Sequence, residues 1–502
     1  MADTDRINNE EEKGLLDGKQ VSRRDFLKIA GVTGATIGLA GGLGGVLAAC
    51  GGTAATTTTA AAPATTATTA GTVTTSGPAT TAGSTTSVSA TEVGREIKIG
   101  FVSPLTGGIA SFGVPDQYCA DRAKEAIGDG LVLGDGKKHP ISIVIKDSQS
   151  DTARAASVTG DLVNNDKVDM IVTASTPDTV CPVADQAEAL STPCVSCDCP
   201  WQAYVATRAA GDLTKVFTWT YHAFWGLEDV QANYMDMWKQ LTTNSKVGAM
   251  WSNDADGQAW AQGWDPVFKD ASAGLTATVP SQFTLGTEDF STQIAQFKKD
   301  GCEIGVGVFI PPDFTTFWKA AQQQGWKPKI ASFGKALLFP ESVASVGDIG
   351  AGLTTEVWWT PNHPFTSSLN GETCAQFAQK YSDAGNGRQW TQPLLHFIIF
   401  EMAIDALKRA KNPEDKQSIL DAVKTIKLNT IGGAIDFTAP VSKAGPPWTT
   451  GPQHVVENVY KTPQVGGQWR KGTKYPFELT IVTDAAAKGI GIPVQDKVQP
   501  LA

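Results

Sequence analysis

The chain has 502 residues, 41% of them hydrophobic and 18% charged, and a net charge of −10. That length admits two or more domains, each with a sizeable core. No Lys/Arg-rich run stands out, and an acidic chain without clustered cations lacks the electrostatic footprint of a nucleic-acid binder.

Residues 1–24 are polar and end in Ser22, Arg23 and Arg24, ahead of Asp25, Phe26, Leu27 and Lys28. A paired arginine before an apolar run resembles the twin-arginine export motif. Residues 29–49 carry no charge and are rich in Gly and Ala, long enough to span a bilayer but weakly apolar. The run closes on Leu47, Ala48, Ala49 and Cys50, which looks like a bacterial lipobox. Small residues there admit a lipoprotein signal peptidase, and the Cys50 thiol takes the lipid. Residues 1–49 are thus read as a twin-arginine lipoprotein signal; a plain membrane-spanning segment with a chance cysteine is the alternative. The expected location is the extracytoplasmic face of the cell membrane, held by lipid on Cys50.

Residues 50–94 read as a flexible tether. From 51 to 91 the chain is almost entirely Thr, Ala, Gly, Ser and Pro, with no charge and no hydrophobic periodicity. Its ends should lie roughly 35 Å apart, which lifts a folded module off the membrane.

Order is predicted from about residue 96. Strands are expected at 97–102, 141–145, 170–173 and 194–196, alternating with helices ending near 127 and spanning 152–165 and 179–190. A second series follows Trp219: helices at 227–241, 258–271, 289–299 and 314–324, with strands at 246–251, 304–309 and 329–332. Residues 393–411 form the longest apolar helix, broad enough in its apolar surface to be buried on more than one side. Two alternating series predict an α/β protein of two doubly wound parallel-sheet lobes. Ligands of open α/β sheets bind beyond the carboxyl ends of the strands. The candidate site loops are therefore 103–112, 173–179, 196–201, 251–257, 310–313 and 332–336.

This order resembles the type I periplasmic binding proteins, specifically the Leu/Ile/Val-binding branch that serves ABC transporters. The resemblance is carried by Ile97, Lys98, Ile99 and Gly100 with Pro104, Leu105, Thr106, Gly107 and Gly113. Asp147, the run from Thr287 to Ser291, and Gln323, Gln324 and Gly325 add to it. It runs from about residue 95 to 440. It implies two lobes joined by three hinge crossings, near 217–221, 357–361 and 435–438. The lobe segments would be 95–217 and 361–434 for the first, 218–360 and 435–502 for the second. It also implies closure around a small-molecule ligand, docking on an ABC permease, a monomer, and no cofactor or catalytic group.

In the family, first-lobe hydroxyls and backbone N–H groups hold a ligand carboxylate, and a second-lobe acid holds its ammonium. By resemblance the first-lobe loop falls on Ser175, Thr176, Pro177, Asp178 and Thr179, the next on Asp198, the aromatic lid on Phe112, and the second-lobe acid position on Lys335. Acids in the first lobe and a cation in the second would reverse the usual polarity. Trp201, Phe224 and Trp225 suggest aromatic walls. Asp256, in the run Asp254, Ala255, Asp256 and Gly257, resembles the start of a calcium loop but lacks the downstream Glu, so a turn lining the cleft is favoured. Each residue has a plainer reading: Asp178 as a helix cap, Asp198 as a turn residue, Lys335 as an exposed loop lysine, any tryptophan as core.

Besides Cys50 there are seven cysteines, so one at least stays unpaired within the chain. A Cys181–Cys194 bridge would pin the binding loop, and Cys181 with Cys194, Cys197 and Cys199 could offer four thiolates to a metal. Nucleophile-elbow, zincin and P-loop motifs are absent, and the five histidines form no sequence cluster. A ligand-sensing module and an exported metal-dependent enzyme remain the competing functional classes.

Overall fold

The computed structural model describes residues 91–442 and 449–501. The expected export signal, the lipidation site Cys50 and most of the tether lie outside the described residues.

Two seven-stranded sheets form the cores of two lobes. In the first, the order across the sheet is His454–Val456, Val459–Tyr460, Thr220–Ala223, Cys194–Cys197, Met170–Ala174, Ile97–Ser103 and Ile141–Asp147. The central strands are parallel and almost entirely buried, Met170–Ala174 at all five positions. Near-continuous apolar runs such as Met170, Ile171 and Val172 suit a strand covered on both faces. The helix Thr152–Asn164 covers one face. Asp151 caps it by accepting from the Arg154 backbone N–H at 2.7 Å, and Ala155, Val158 and Leu162 turn inward. The helix Phe397–Arg409 is buried at ten of its 13 positions, as its broad apolar surface predicts, with Phe400 edge-on to Phe101 at 5.4 Å.

The second sheet runs Phe477–Thr483, Val465–Lys471, Thr354–Val357, Ile330–Gly334, Ile304–Val308, Lys246–Trp251 and Thr276–Thr278. One side is packed with aromatic rings, Phe309 lying 4.9 Å from both Phe283 and Phe317. Each sheet also has an antiparallel edge, which strand–helix alternation alone did not predict. Two of these pairs are joined by short connections, which can join only antiparallel neighbours, whereas Thr354–Val357 and Val465–Lys471 pair across a long stretch of chain.

The chain passes between lobes three times: beyond Ala223, beyond Val357, and between Tyr460 and Val465. The first falls after the expected 217–221, because Thr220–Ala223 is a strand of the first sheet, and the third differs from the expected one near 435–438. Gly433–Asp436 pairs in a local hairpin with Lys427–Thr430, and the two strands at 454–460 extend the first sheet. The strands Gly433–Asp436, His454–Val456 and Val459–Tyr460 therefore stay with the first lobe. The first and third passages are tied together by Lys461. Its buried ammonium lies 2.5 Å from Glu228 and 2.9 Å from Asp229.

Candidate ligand-binding site

The carboxyl ends of both sheets face one cleft. From the first lobe come Phe112, Thr176, Asp198 and Pro200. The second contributes Asp256, Trp260, Val308, Lys335, Leu338 and Glu356, and the passages add Phe224, Trp225 and Trp358. The cavity left between them is about 20 Å³, room for about one water molecule. Phe112 meets Phe339 across the cleft, ring centroids 4.9 Å apart and nearly perpendicular.

Local backbone explains how the polar groups reach the cleft. Thr176 is the N-cap of the helix Pro177–Ala189, whose Pro at the first position is pre-set for a helix start. Asp178 sits in its first turn, where a carboxylate suits the helix dipole. Asp254 caps the helix Ala255–Lys269 by accepting from the Gly257 N–H at 2.8 Å, so the expected turn is a helix start. Asp198 and Lys335 both hold positive φ, 64° and 66°. Each costs roughly 1 kcal/mol or more in a non-glycine residue, and such strain collects at functional sites.

Lys335 is 4% exposed, which removes the reading as an exposed loop lysine. Its Nζ lies 2.9 Å from Asp254 and 3.4 Å from Asp256. Its backbone N–H donates to Glu356 at 2.8 Å. Burial pulls its ammonium down, but Asp254, Asp256 and Asp178 outweigh that and hold it above the ordinary lysine value. Burial also pushes Asp254 up, yet Lys335, Ser252 and Gly257 bring it below its usual value. Asp256 is pushed up to about 6 by burial, only partly offset by Lys335 and aggravated by Asp254 and Asp178. The expected division, acids in one lobe and a cation in the other, is therefore modified: the cation is enclosed by acids of its own lobe.

A second buried chain lies in the first lobe. Ser103 donates to Asp116 at 2.5 Å, and His396 bridges Asp116 at 2.6 Å and Asp198 at 2.7 Å. Burial lowers the His396 pKa, but the two carboxylates outweigh it and raise it to about 9. Asp198 is raised to about 7 by burial, against the pull of His396. Glu356 is likewise raised to about 7 by burial, although Tyr234 donates to it at 2.6 Å.

Several buried polar atoms have no partner: Ser175 Oγ, Thr176 Oγ1, Trp225 Nε1, Trp358 Nε1 and Asp256 Oδ1. Such atoms cost about 1–3 kcal/mol each when left unmet. A ligand between the lobes is the natural partner for those that line the cleft.

Of the sequence-derived site residues, Phe112, Thr176, Asp198, Phe224, Asp256 and Lys335 line the cleft. Ser175 and Thr179 are buried beside it, and Asp178 stands close enough to act on Lys335 and Asp256. Trp201 does not line it. It is fully buried in a first-lobe cluster, its indole N–H on Glu228 at 3.2 Å, because helix Trp201–Arg208 turns that face inward. Sequence reasoning missed Trp260, Glu356, Trp358, Asp116 and His396 as site residues. Trp358 follows a strand directly, a position that strand-end logic could have flagged.

The seven cysteines of the described region are unbridged and buried. Cys194 and Cys197 fall in two different apolar clusters, and Cys181 with Cys199 in a third. The envisaged Cys181–Cys194 bridge and four-thiolate site are therefore not formed. Among the described residues no group of His, Cys, Asp and Glu has the arrangement of a metal site.

Comparison with known proteins agrees with this architecture. A family model described as periplasmic binding protein matches residues 96–450, and one for the twin-arginine translocation signal matches residues 20–40. Among the described residues no helix is long and apolar enough to cross a membrane. The twin-arginine match marks the chain for export from the cytoplasm. Similar solved structures include the leucine-binding protein LivK of Thermotoga maritima, at 18% identity and TM-score 0.60, covering 76% of this chain and 97% of that one. The branched-chain amino acid transporter substrate-binding protein LivJ of Streptococcus pneumoniae, in complex with isoleucine, is 20% identical with TM-score 0.61, covering 77% and 99%. A solute-binding protein of an ABC transporter from Rhodopseudomonas palustris, in complex with 3,4-dihydroxybenzoic acid, is 16% identical with TM-score 0.59, covering 78% and 99%. With two lobes, three passages and a match over most of its length, the chain belongs to the periplasmic binding protein family and has its type I fold.

Proposed function

We propose that this chain is the lipid-anchored solute-binding protein of an ABC transporter, capturing a small polar molecule between its lobes and presenting it to a permease. The observation that carries this reading is the set of buried, unpartnered polar atoms lining the interlobe cleft: Thr176 Oγ1, Trp225 Nε1, Trp358 Nε1 and Asp256 Oδ1. They lie between bodies joined by three chain passages, the arrangement that permits hinge closure. The cleft asks for shape and hydrogen bonding in its occupant. The isoleucine and dihydroxybenzoate complexes of similar folds support a small-molecule occupant. Cys50 anchors the exported chain, and the Thr/Ala-rich stretch after it gives the lobes reach.

The test is a thermal-shift screen of the chain from residue 95 against amino acids, amines, amides, carboxylates and aromatic compounds. X-ray scattering is recorded with each hit. A true ligand raises the melting temperature progressively with concentration and contracts the particle. No stabilisation across the screen, or stabilisation without contraction, counts against the reading.

A further inference from the structure

The charges around the cleft do not balance. Asp198, Asp256 and Glu356 line it, and Lys335 is the one cation that does so among the described residues. Behind them stand Asp116, Asp178 and Asp254, with only His396 added on the positive side. Both cations are already spent: Lys335 on Asp254 and Asp256, His396 on Asp116 and Asp198. An incoming carboxylate finds no unpaired cation and several carboxylates in a low-dielectric site, where like charges repel strongly.

An incoming cation finds the opposite. Asp256 Oδ1 is buried and unpartnered. Phe112, Phe224, Trp225, Trp260 and Trp358 line the cleft, and a cation over an aromatic face is attracted by its quadrupole. The indole N–H groups of Trp225 and Trp358 are donors only, and both are unpartnered. They call for an acceptor that brings no negative charge, such as a hydroxyl or carbonyl oxygen.

We infer that the ligand is a protonated amine that carries an uncharged oxygen acceptor and no carboxylate, with its ammonium on Asp256 and its oxygen on the indole N–H groups. This rests on the solute-binding reading and narrows it: the amino acids bound by similar folds are a poor fit, because Asp198, Asp256 and Glu356 line the same cleft as the Thr176 hydroxyl that would hold their carboxylate, and no free cation offsets them there. The raised pKa values of Asp256, Asp198 and Glu356 agree, since a bound cation would relieve the repulsion and burial that raise them.

The experiment compares three amino alcohols with the matching amino acids by isothermal titration: ethanolamine with glycine, leucinol with leucine, phenylalaninol with phenylalanine. The inference expects at least one amino alcohol to bind, and to bind about tenfold or more tighter than its partner, the ratio expected for one unmet charge-bearing contact. Binding near pH 6.5 should also release protons, seen as a dependence of the heat on the ionisation enthalpy of the buffer. Asp256→Asn should bring the ratio towards one. The wild-type ranking needs no variant, so a failure of Asp256→Asn to fold leaves the test intact. An amino acid that binds more tightly than its alcohol, or no binding by any of the three alcohols, overturns the inference. If an amino acid binds and contracts the particle, the solute-binding reading stands without it; if no compound in the wider screen does so, that reading falls as well.

Discussion

His396 Nε2 lies 2.7 Å from an Asp198 oxygen, while His396 Nδ1 lies 2.6 Å from Asp116, all three side chains being buried. One imidazolium thus ties the helix Asp116–Ile127 and the 197–200 loop to the start of the helix Phe397–Arg409.

This bridge makes stability depend on pH with a definite sign. The His396 pKa is raised from 6.5 to about 9. A group raised in the folded state contributes fully below its unfolded value and loses that contribution as pH rises through the folded value. Stability should therefore fall between about pH 6.5 and 9, by an amount on the order of 3 kcal/mol. Asp198, also raised, acts in the same direction at lower pH. Urea melts of wild type and His396→Gln across this range check the point. The variant should be less stable at pH 6 and lose most of the slope; an unchanged slope refutes the assignment.

Lys335→Met should be strongly destabilising. It leaves Asp254 and Asp256 buried without their cation, and breaking a buried pair from one side costs about 3–5 kcal/mol. Adding Asp256→Asn should recover part of the loss. Equal stability of wild type and Lys335→Met in denaturant titrations would show that the carboxylates are hydrated or protonated there.

Trp358→Phe removes a donor that has no hydrogen-bond partner within the protein. Because the buried six-membered ring of the indole is lost as well, its stability cost should be on the order of 2 kcal/mol, whereas ligand affinity should drop about tenfold. A fall in melting temperature with affinity unchanged would assign the indole to packing alone.

Gly334→Ala tests the cleft wall from behind. A Cβ there would lie 2.5 Å from Trp260 Cη2, so the ring must move. Overpacking of this kind costs about 1–3 kcal/mol. Affinity should fall with stability, and tryptophan emission should shift as Trp260 moves. Unaltered emission and affinity would mean that the ring relaxes without touching the ligand.

On the proposed reading, Cys50→Ala should leave export intact but release the protein from the membrane fraction, because it removes the thiol that the lipid would use. Retention of the variant in washed membranes would point to another anchor.

Much of the fold was legible because it is written in local patterns. The run from Ile97 to Val102, the helix over Thr152–Asn164 and the broad apolar helix at 397–409 each declare themselves by apolar spacing. Strand-end logic also brought Phe112, Thr176, Asp198, Asp256 and Lys335 to one cleft. Trp201 was misassigned by the same logic, since loop proximity does not say which way a helix face turns. The third passage was misplaced because two short strands at 454–460 carry little periodicity.

By itself, the sequence determined the export signal, the low-complexity stretch after Cys50, two series of strands and helices, and the residues at most strand ends. These follow from nearest neighbours in the chain, through hydrophobic period and turn chemistry. Only the tertiary structure decided that Lys335 is enclosed by Asp254 and Asp256, that His396 joins Asp116 to Asp198, and that Trp225 and Trp358 keep unpartnered donors in the cleft. Asp116 and His396 are 280 positions apart in the chain. Their charge states depend on burial and on carboxylates brought together by folding, and no local pattern encodes that sum of distant charges.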